Sequence, residues 1–363
     1  MVGDKNKVDK FKAMLLRESK VEPLVDKDFL STGSTLLNLA CSDRLTGGFA
    51  KGKYYFIVGD SASGKTFLSL TCLAEASINR NFDNYRFIFD NAEGGALMNI
   101  GKFFGSDVAS RLEAPRVMEG QPVCSKTVEE FYYNVADAFK DGRPFIYILD
   151  SMDSLSCTDE QDKFKERKTA FEKGKEAAGT YNVGKSKENS SSLRTVLTPL
   201  QQSGSILIII SQTRDNLGFG FEKKTRSGGN ALRFYATIEL WSSIVGKINK
   251  TVRGKDRQLG IKCKIQVKKN RITGRERTIM VPIYYSVGID DIGSCVDYLI
   301  EEEHWTTDKV NITAPEFKYK GSREKFIRLV EEQGMEGDLR DIVGEVWVSI
   351  EAACQVNRKK RYK

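Results

Sequence analysis

The feature that most narrows the fold is the run Tyr54-Tyr-Phe-Ile-Val58, which leads without a break into Gly59-Asp-Ser-Ala-Ser-Gly64-Lys65-Thr66 and then FLSLTCLAEA. An unbroken apolar β-rich stretch, a G-x-x-x-x-G-K-T loop and helix-forming residues predict a strand, a tight loop and a helix in that order. Glycines at the two ends of the loop allow consecutive backbone N–H groups to turn inward. The following helix brings its positive dipole end to the same point. Such a loop is built for phosphate oxygens. Gly59, Asp60, Ser61, Ala62, Ser63, Gly64, Lys65 and Thr66 are therefore the candidate ATP-binding set. Lys65 is expected at the β- and γ-phosphates, and the Thr66 hydroxyl at Mg²⁺.

A phosphate loop of this kind needs a second carboxylate at the end of a neighbouring strand to hold the metal. FIYILD (145–150) supplies Asp150 there. RFIFD (86–90) and ILIII (206–210) are further continuous apolar runs, as expected for strands covered on both faces. Between them lie helical stretches such as TVEEFYYNVADAFK (127–140), so the order predicts an α/β fold with a mainly parallel central sheet. TIELW (237–241), KCKIQVK (262–268) and TIMVPIYY (278–285) are expected to extend it antiparallel. Glu93, in DNAEGGAL just past RFIFD, sits at the carboxyl end of a strand, where ligands of parallel sheets gather. It is the candidate for orienting an attacking water, with Asp90 as its rival.

Three units follow from the pattern: a short helical arm over residues 1–30, a core over 31–290, and a small helical C-terminal domain over 291–363 ending in the basic NRKKRYK. Residues 158–192 are polar, Lys-rich and without a core pattern, which reads as an exposed excursion, helical at first and mobile afterwards.

Composition removes several classes of function. With 57 Lys+Arg against 49 Asp+Glu the net charge is +8, and 40% hydrophobic with 29% charged residues is ordinary globular composition. The longest clean apolar run, Ile206–Ile210, falls far short of the ~20 residues of a membrane helix, and MVGDKNKVDKFK has no apolar signal region. The expectation is a cytoplasmic protein with no membrane partner. Seven scattered cysteines form no Cys-x-x-Cys pair, and the one histidine, His304, lies in the acidic run EEEHW. Disulfide frameworks, Cys/His zinc sites and His-based nucleophilic catalysis are thereby disfavoured. The chemistry must run on Lys, Arg, Asp and Glu.

LSTGSTLLNLA (30–40), DNAEGGAL, ILDSMDSL (148–155), IIISQTR (208–214) and SGGNALRFYA (227–236) occur in the order found in bacterial RecA-type recombinases. Residues 30–290 resemble that family in a divergent form, of the sort carried by large bacteriophages. The run Gly228-Gly229-Asn230-Ala231-Leu232, then a basic residue and Phe234-Tyr235-Ala236, is the most specific part. The resemblance implies a RecA-like P-loop NTPase core and a DNA-dependent ATPase. It implies a protein that self-associates into a helical filament on single-stranded DNA and pairs it with homologous duplex DNA for strand exchange, in recombination and repair. A single-strand-binding or loader protein would be a further partner. Glu93 matches the family's water-activating glutamate, and Gln212 the glutamine that senses the γ-phosphate. Residues 213–230 match a DNA-binding loop carrying Arg214, Lys223, Lys224, Arg226, Gly228, Gly229 and Asn230. Lys269 and Arg271 match cations that reach the neighbouring subunit's ATP, and Phe234 matches part of the subunit contact.

The chain also departs from the family. Residues 158–192 are longer and more Lys-rich than the family's first DNA-binding loop, so no contacts carry over there. DNAEGGALMN has an extra residue, which leaves the adenine contact unassigned. The basic tail contrasts with the family's acidic one, and the arm before residue 30 resembles the oligomerising helix only loosely. Two other functions compete: a hexameric RecA-fold helicase, which shares the phosphate loop, Asp150 and cations donated between subunits, and a non-catalytic regulator that binds DNA or a recombinase and uses ATP only structurally.

Overall fold

The computed structural model describes residues 23–173, 184–215, 224–226, 229–308, 310–359 and 361. Its main sheet is formed by β1 (Tyr54–Gly59), β2 (Arg86–Asp90), β3 (Leu112–Glu113), β4 (Phe145–Leu149), β5 (Ile206–Asp215), β6 (Ile238–Val252), β7 (Lys255–Asn270), β8 (Arg277–Tyr284) and β9 (Gly288–Ile289). The spatial order is β9-β8-β7-β6-β1-β5-β4-β2-β3, and the short strand Lys224–Arg226 pairs with β5. Neighbours from β6 to β3 are parallel, and those from β6 to β9 are antiparallel.

The parallel strands are buried on both faces, which explains their continuous apolar runs. Alternation along each strand feeds two cores. Ile57, Ile148 and Ile208 enter one cluster, while Phe56, Tyr147 and Ile209 enter the other. The helices α1 (Thr35–Ser42) and α2 (Lys65–Ser77) cover the first face. The second is covered by α3 (Val128–Ala138), through Phe131 and Val135, and by α5 (Gly184–Ser203), through Leu193, Val196 and Leu200. Between these lies α4 (Thr158–Glu172), which buries nothing. From β1 the chain crosses to β2, then steps back through β4 and β5. A crevice therefore opens at the carboxyl ends of β1, β4 and β5, the switch point where ligands of such sheets bind.

After the short α6 (Asn230–Tyr235), the chain ends in α7 (Asp291–Glu301), a three-stranded sheet over residues 306–322, α8 (Arg323–Gln333) and α9 (Glu336–Ala353). Val296, Phe326, Val343 and Trp347 from these helices join one continuous core with Leu37 and Ile279. Polar bonds fix the junction. Thr35 donates its backbone N–H and its hydroxyl to the Asp291 carboxylate at 2.6 and 2.8 Å, and Arg277 bridges Asp43 and Glu351 at 2.7 and 2.6 Å.

Two expectations need correction. TIELW does not extend the sheet antiparallel. Ile238–Ser242 pair parallel with Tyr55–Gly59, and the antiparallel ladder begins one strand further out. The strand's own residues suit either partner, so its direction is set by the neighbour it meets. Residues 184–192 are not an excursion but the first turns of α5, which bury Asn189. The Asn189 carboxamide accepts from the Tyr132 hydroxyl at 2.8 Å, so a polar residue sits on the helix's inner face. Residues 1–22 of the arm and 174–183 lie outside the described residues. All seven cysteines are free, as expected. Among the described residues no helix is long and apolar enough to cross a membrane.

Candidate nucleotide-binding and catalytic site

The phosphate loop runs from the end of β1 into α2, with Gly64 capping the helix at φ 81°. A Cβ on Gly64 would stand 2.6 Å from the Ile283 side chain, and one on Gly59 would stand 2.3 Å from the Ser242 carbonyl oxygen. Both positions therefore require glycine. The antiparallel strands back the loop. The Ser63 carbonyl accepts from the Ser242 hydroxyl at 2.7 Å and from the Cys263 thiol at 3.3 Å. The Ser63 hydroxyl itself is buried with no partner among the described residues.

Lys65, only 8% exposed, donates to the Gly59 and Asp60 carbonyls at 3.0 and 2.6 Å. Burial pulls its pKa down, while the carboxylates of Asp150, Glu93, Asp60 and Asp153 push it back up. Thr66 donates its hydroxyl to Asp150 at 2.6 Å, so the two residues expected at the metal are side by side. Burial raises the Asp150 carboxyl. The Thr66 hydrogen bond and Lys65 oppose that rise, and Glu93 adds to it. One hydroxyl and one carboxylate form an oxygen-only set suited to Mg²⁺, which keeps several waters and substrate phosphates as its other ligands. Loop, orphaned hydroxyl and donor set together fit a magnesium-bound nucleoside triphosphate.

Glu93 lies beside this pair. Its backbone N–H donates to the Asp150 carbonyl at 2.9 Å, and its carboxylate accepts from the Ser151 hydroxyl at 3.1 Å. The Gln212 carboxamide donates to the same carboxylate at 3.2 and 3.3 Å. Gln212 sits opposite Gly59 in the β1–β5 ladder. Its rival Asp90 is committed elsewhere, accepting from the Ser125 N–H at 2.9 Å and the Tyr147 hydroxyl at 2.8 Å. Three members of the site escaped sequence reasoning. Asp153 accepts from the Ser211 hydroxyl and the Gln212 N–H, each at 2.7 Å. Ser151 contacts Glu93, and the Thr213 hydroxyl bonds the Asp60 carboxylate. The only sequence signal for them was adjacency to Asp150 and Gln212.

Lys269 and Arg271 are grouped with Phe234 at the other end of the sheet. Lys269 donates to the Arg233 and Phe234 carbonyls at 2.6 and 2.7 Å, and Arg271 donates to the Phe234 carbonyl at 2.6 Å. Burial, then the Arg271 charge, bring the Lys269 amine down to about 8. Lys269 pairs with Glu239, which pairs with Phe56, three residues before Gly59 and so roughly 10 Å back along the strand. Phe234 is 64% exposed and packs edge-on against Tyr235.

The expected DNA-binding residues are described in part. Thr225 pairs with Arg214, Lys224 with Asp215 and Arg226 with Thr213, continuing β5 outward from the site. Asn230 opens α6 and is exposed. Gly229 has φ 80°, and a Cβ there would stand 2.6 Å from the Ser186 hydroxyl, so α5 already requires a glycine at this position. Lys223 and Gly228 lie outside the described residues.

A model of the RecA N-terminal domain matches residues 175–290, the part that holds Gln212, Lys269 and Arg271. The phosphate loop is covered by pairwise likeness. The chain is 27% identical over 307 residues to Protein RecA of Cytophaga hutchinsonii, covering 83% of this chain and 75% of that one. It is 26% identical to Protein RecA of Bartonella bacilliformis over 79% of this chain and 74% of that one. For Protein RecA of Azospirillum lipoferum the figures are 26%, 86% and 77%. The chain is thus similar to RecA proteins over most of its length. The α/β core with its mainly parallel sheet agrees with that likeness, which extends well beyond the phosphate loop.

Proposed function

We propose that this RecA-type chain is a DNA-dependent ATPase that assembles on single-stranded DNA as a helical filament and catalyses homologous pairing and strand exchange. The observation that carries the reading is the Gln212–Glu93 hydrogen bond. Gln212 stands where β5 leaves the phosphate loop and enters the 213–230 segment. A change in that segment on binding a polynucleotide is therefore felt one side chain away from the group that orients water.

In this reading Lys65 and the loop amides hold the triphosphate, and Thr66 and Asp150 hold Mg²⁺. Held there, Mg²⁺ would supply charge neutralisation at the phosphates. Glu93 accepts a hydrogen bond from the attacking water and then its proton. Ser151 and Gln212 keep the Glu93 carboxylate aimed. Lys269 and Arg271 lie too far back along the sheet to reach their own subunit's loop, so they serve a neighbour's. Nucleotide binding and assembly then become one linked equilibrium. Arg214, Lys223, Lys224 and Arg226 supply sequence-neutral attraction to phosphates, and Phe234 part of the subunit contact.

The test is ATP hydrolysis with and without single-stranded DNA, imaged in parallel by electron microscopy. Stimulation by DNA, loss of stimulation at high salt and helical filaments are expected. Hydrolysis indifferent to DNA would sink the reading, and closed rings would favour the helicase.

A further inference from the structure

The β6–β7 hairpin outruns the sheet that anchors it. Pairing of β6 with β1 ends at Ser242, and pairing of β7 with β8 ends at Gly260. Beyond that point residues 247–258 form a two-stranded ribbon, exposed along nearly its whole length and roughly 20 Å long at the usual rise per residue. A free two-stranded ribbon is marginal in water. This one persists because the same strands are locked into the sheet at its base.

Charge is distributed unevenly on the arm. Lys250 stands directly opposite Arg257, and Val252 opposite Lys255, so Lys250, Lys255 and Arg257 share one face. The other face carries Asn249 opposite Gln258 and Thr251 opposite Asp256, whose carboxylate is engaged by the Thr251 hydroxyl at 2.7 Å. Among the described residues no carboxylate pairs with Lys250, Arg253, Lys255 or Arg257. Like charges directly opposite one another destabilise a ladder. The turn adds to the cost: Arg253 and Gly254 have φ 54° and 71°. That turn favours Asn or Gly at its first position, and an arginine there is strained. Strain and repulsion concentrated at one exposed tip point to a ligand that offsets them.

We propose that residues 247–258 are a docking ribbon for duplex DNA, with the face of Lys250, Lys255 and Arg257 in the major groove and Arg253 leading at the tip. A major groove about 12 Å wide admits a two-stranded ribbon, and its walls carry phosphates on both sides. Single strands, which are gripped by stacking on aromatic side chains, find no exposed ring on the arm. The inference deepens the recombinase reading by naming a surface for the incoming duplex, and it rests on that reading only for its biological purpose.

The experiment compares wild-type chain, R253N, and K250Q/R253N/K255Q/R257Q. Binding to a labelled duplex of mixed sequence and to one of its single strands is followed by fluorescence anisotropy between about 50 and 200 mM salt. The quadruple variant is expected to lose tenfold or more in duplex affinity. Its log–log salt slope should fall by about 3 to 4, one unit per lost phosphate contact. Single-strand affinity should stay within twofold. R253N relieves the strained turn, so its melting temperature should rise while duplex affinity falls, a combination that a purely structural role does not produce. Unchanged duplex affinity overturns the proposal, and increased self-association in the same variant would assign the cations to guarding the strand edges. Equal loss of duplex and single-strand binding also overturns it. Wild-type ATPase stimulation by single strands is read separately, so a failure of the recombinase reading is visible without the arm.

Discussion

At the residue scale, the proposed hydrolysis turns on the placement of one carboxylate. Glu93 is held by its own backbone N–H on Asp150 and by donors from Ser151 and Gln212. E93Q keeps size and hydrogen bonding but removes the proton acceptor. Hydrolysis is expected to fall by about 10²- to 10⁴-fold, with nucleotide affinity little changed, as measured by phosphate release and equilibrium binding. Unchanged hydrolysis would favour the regulator that only binds ATP. Asp153 acts one step back, accepting from the Gln212 backbone N–H and the Ser211 hydroxyl. D153N turns an acceptor into a group that also donates, and it loosens the end of β5. The DNA-stimulated turnover should drop about tenfold while the KM for ATP holds, which steady-state kinetics with saturating single-stranded DNA would resolve. A proportionate rise in KM would place Asp153 in nucleotide binding instead.

At the element scale, α5 shows where pattern reading ran out. Its first turns are polar, and the stretch KSKENSSS has no apolar stripe, yet Asn189 faces the core and is met by Tyr132. The signal that would have revealed this is in α3, not α5, because a buried tyrosine hydroxyl needs a partner. N189A leaves that hydroxyl buried without an acceptor. Chemical denaturation should register a loss of about 1–3 kcal/mol, and the double variant N189A/Y132F should recover part of it. The β6–β7 pair teaches a related lesson. Its strands were legible as β-rich runs, but the opposition of Lys250 and Arg257 depends on a turn at Arg253–Gly254 and a register shift between Ile248 and Asn249. Neither has a periodic signature.

At the scale of the whole molecule, the two ends of the parallel sheet are different chemical surfaces. The carboxyl end carries the phosphate loop and Glu93, and the other end carries Lys269, Arg271 and Phe234. A head-to-tail assembly brings the two together and generates a helix unless the rotation closes. The Lys269 amine is brought to about 8 in the single chain, so it is cationic below that pH and neutral above it. Nucleotide-dependent assembly should therefore be strongest below about pH 8 and weaken as pH rises through it. Assembly against a triphosphate should take up protons in that range. Within the isolated subunit the sign is opposite: the depressed value means the folded state disfavours the ammonium, and that penalty is relieved as pH climbs from about 8 toward the ordinary lysine range. Light scattering across pH on wild type and K269R tests this, because an arginine stays charged and should remove the alkaline loss. An identical pH profile in both proteins would detach Lys269 from the assembly contact.

What the sequence settled by itself was local. The phosphate loop, Thr66, the strand-end Asp150 and the buried strands all follow from short-range demands: glycines where the backbone turns inward, unbroken apolar runs where both faces are covered. The tertiary structure alone decided which strand lies beside which, and hence that Ile238–Ser242 run parallel to β1. It also decided that Asp90 is consumed by Ser125 and Tyr147 while Glu93 faces the loop, and that Lys269 and Arg271 stand at the far end of the sheet. The physical reason is that pairing partners and the direction a side chain faces are properties of contacts between distant segments. One residue's slip in register exchanges the two faces of a strand without changing its composition.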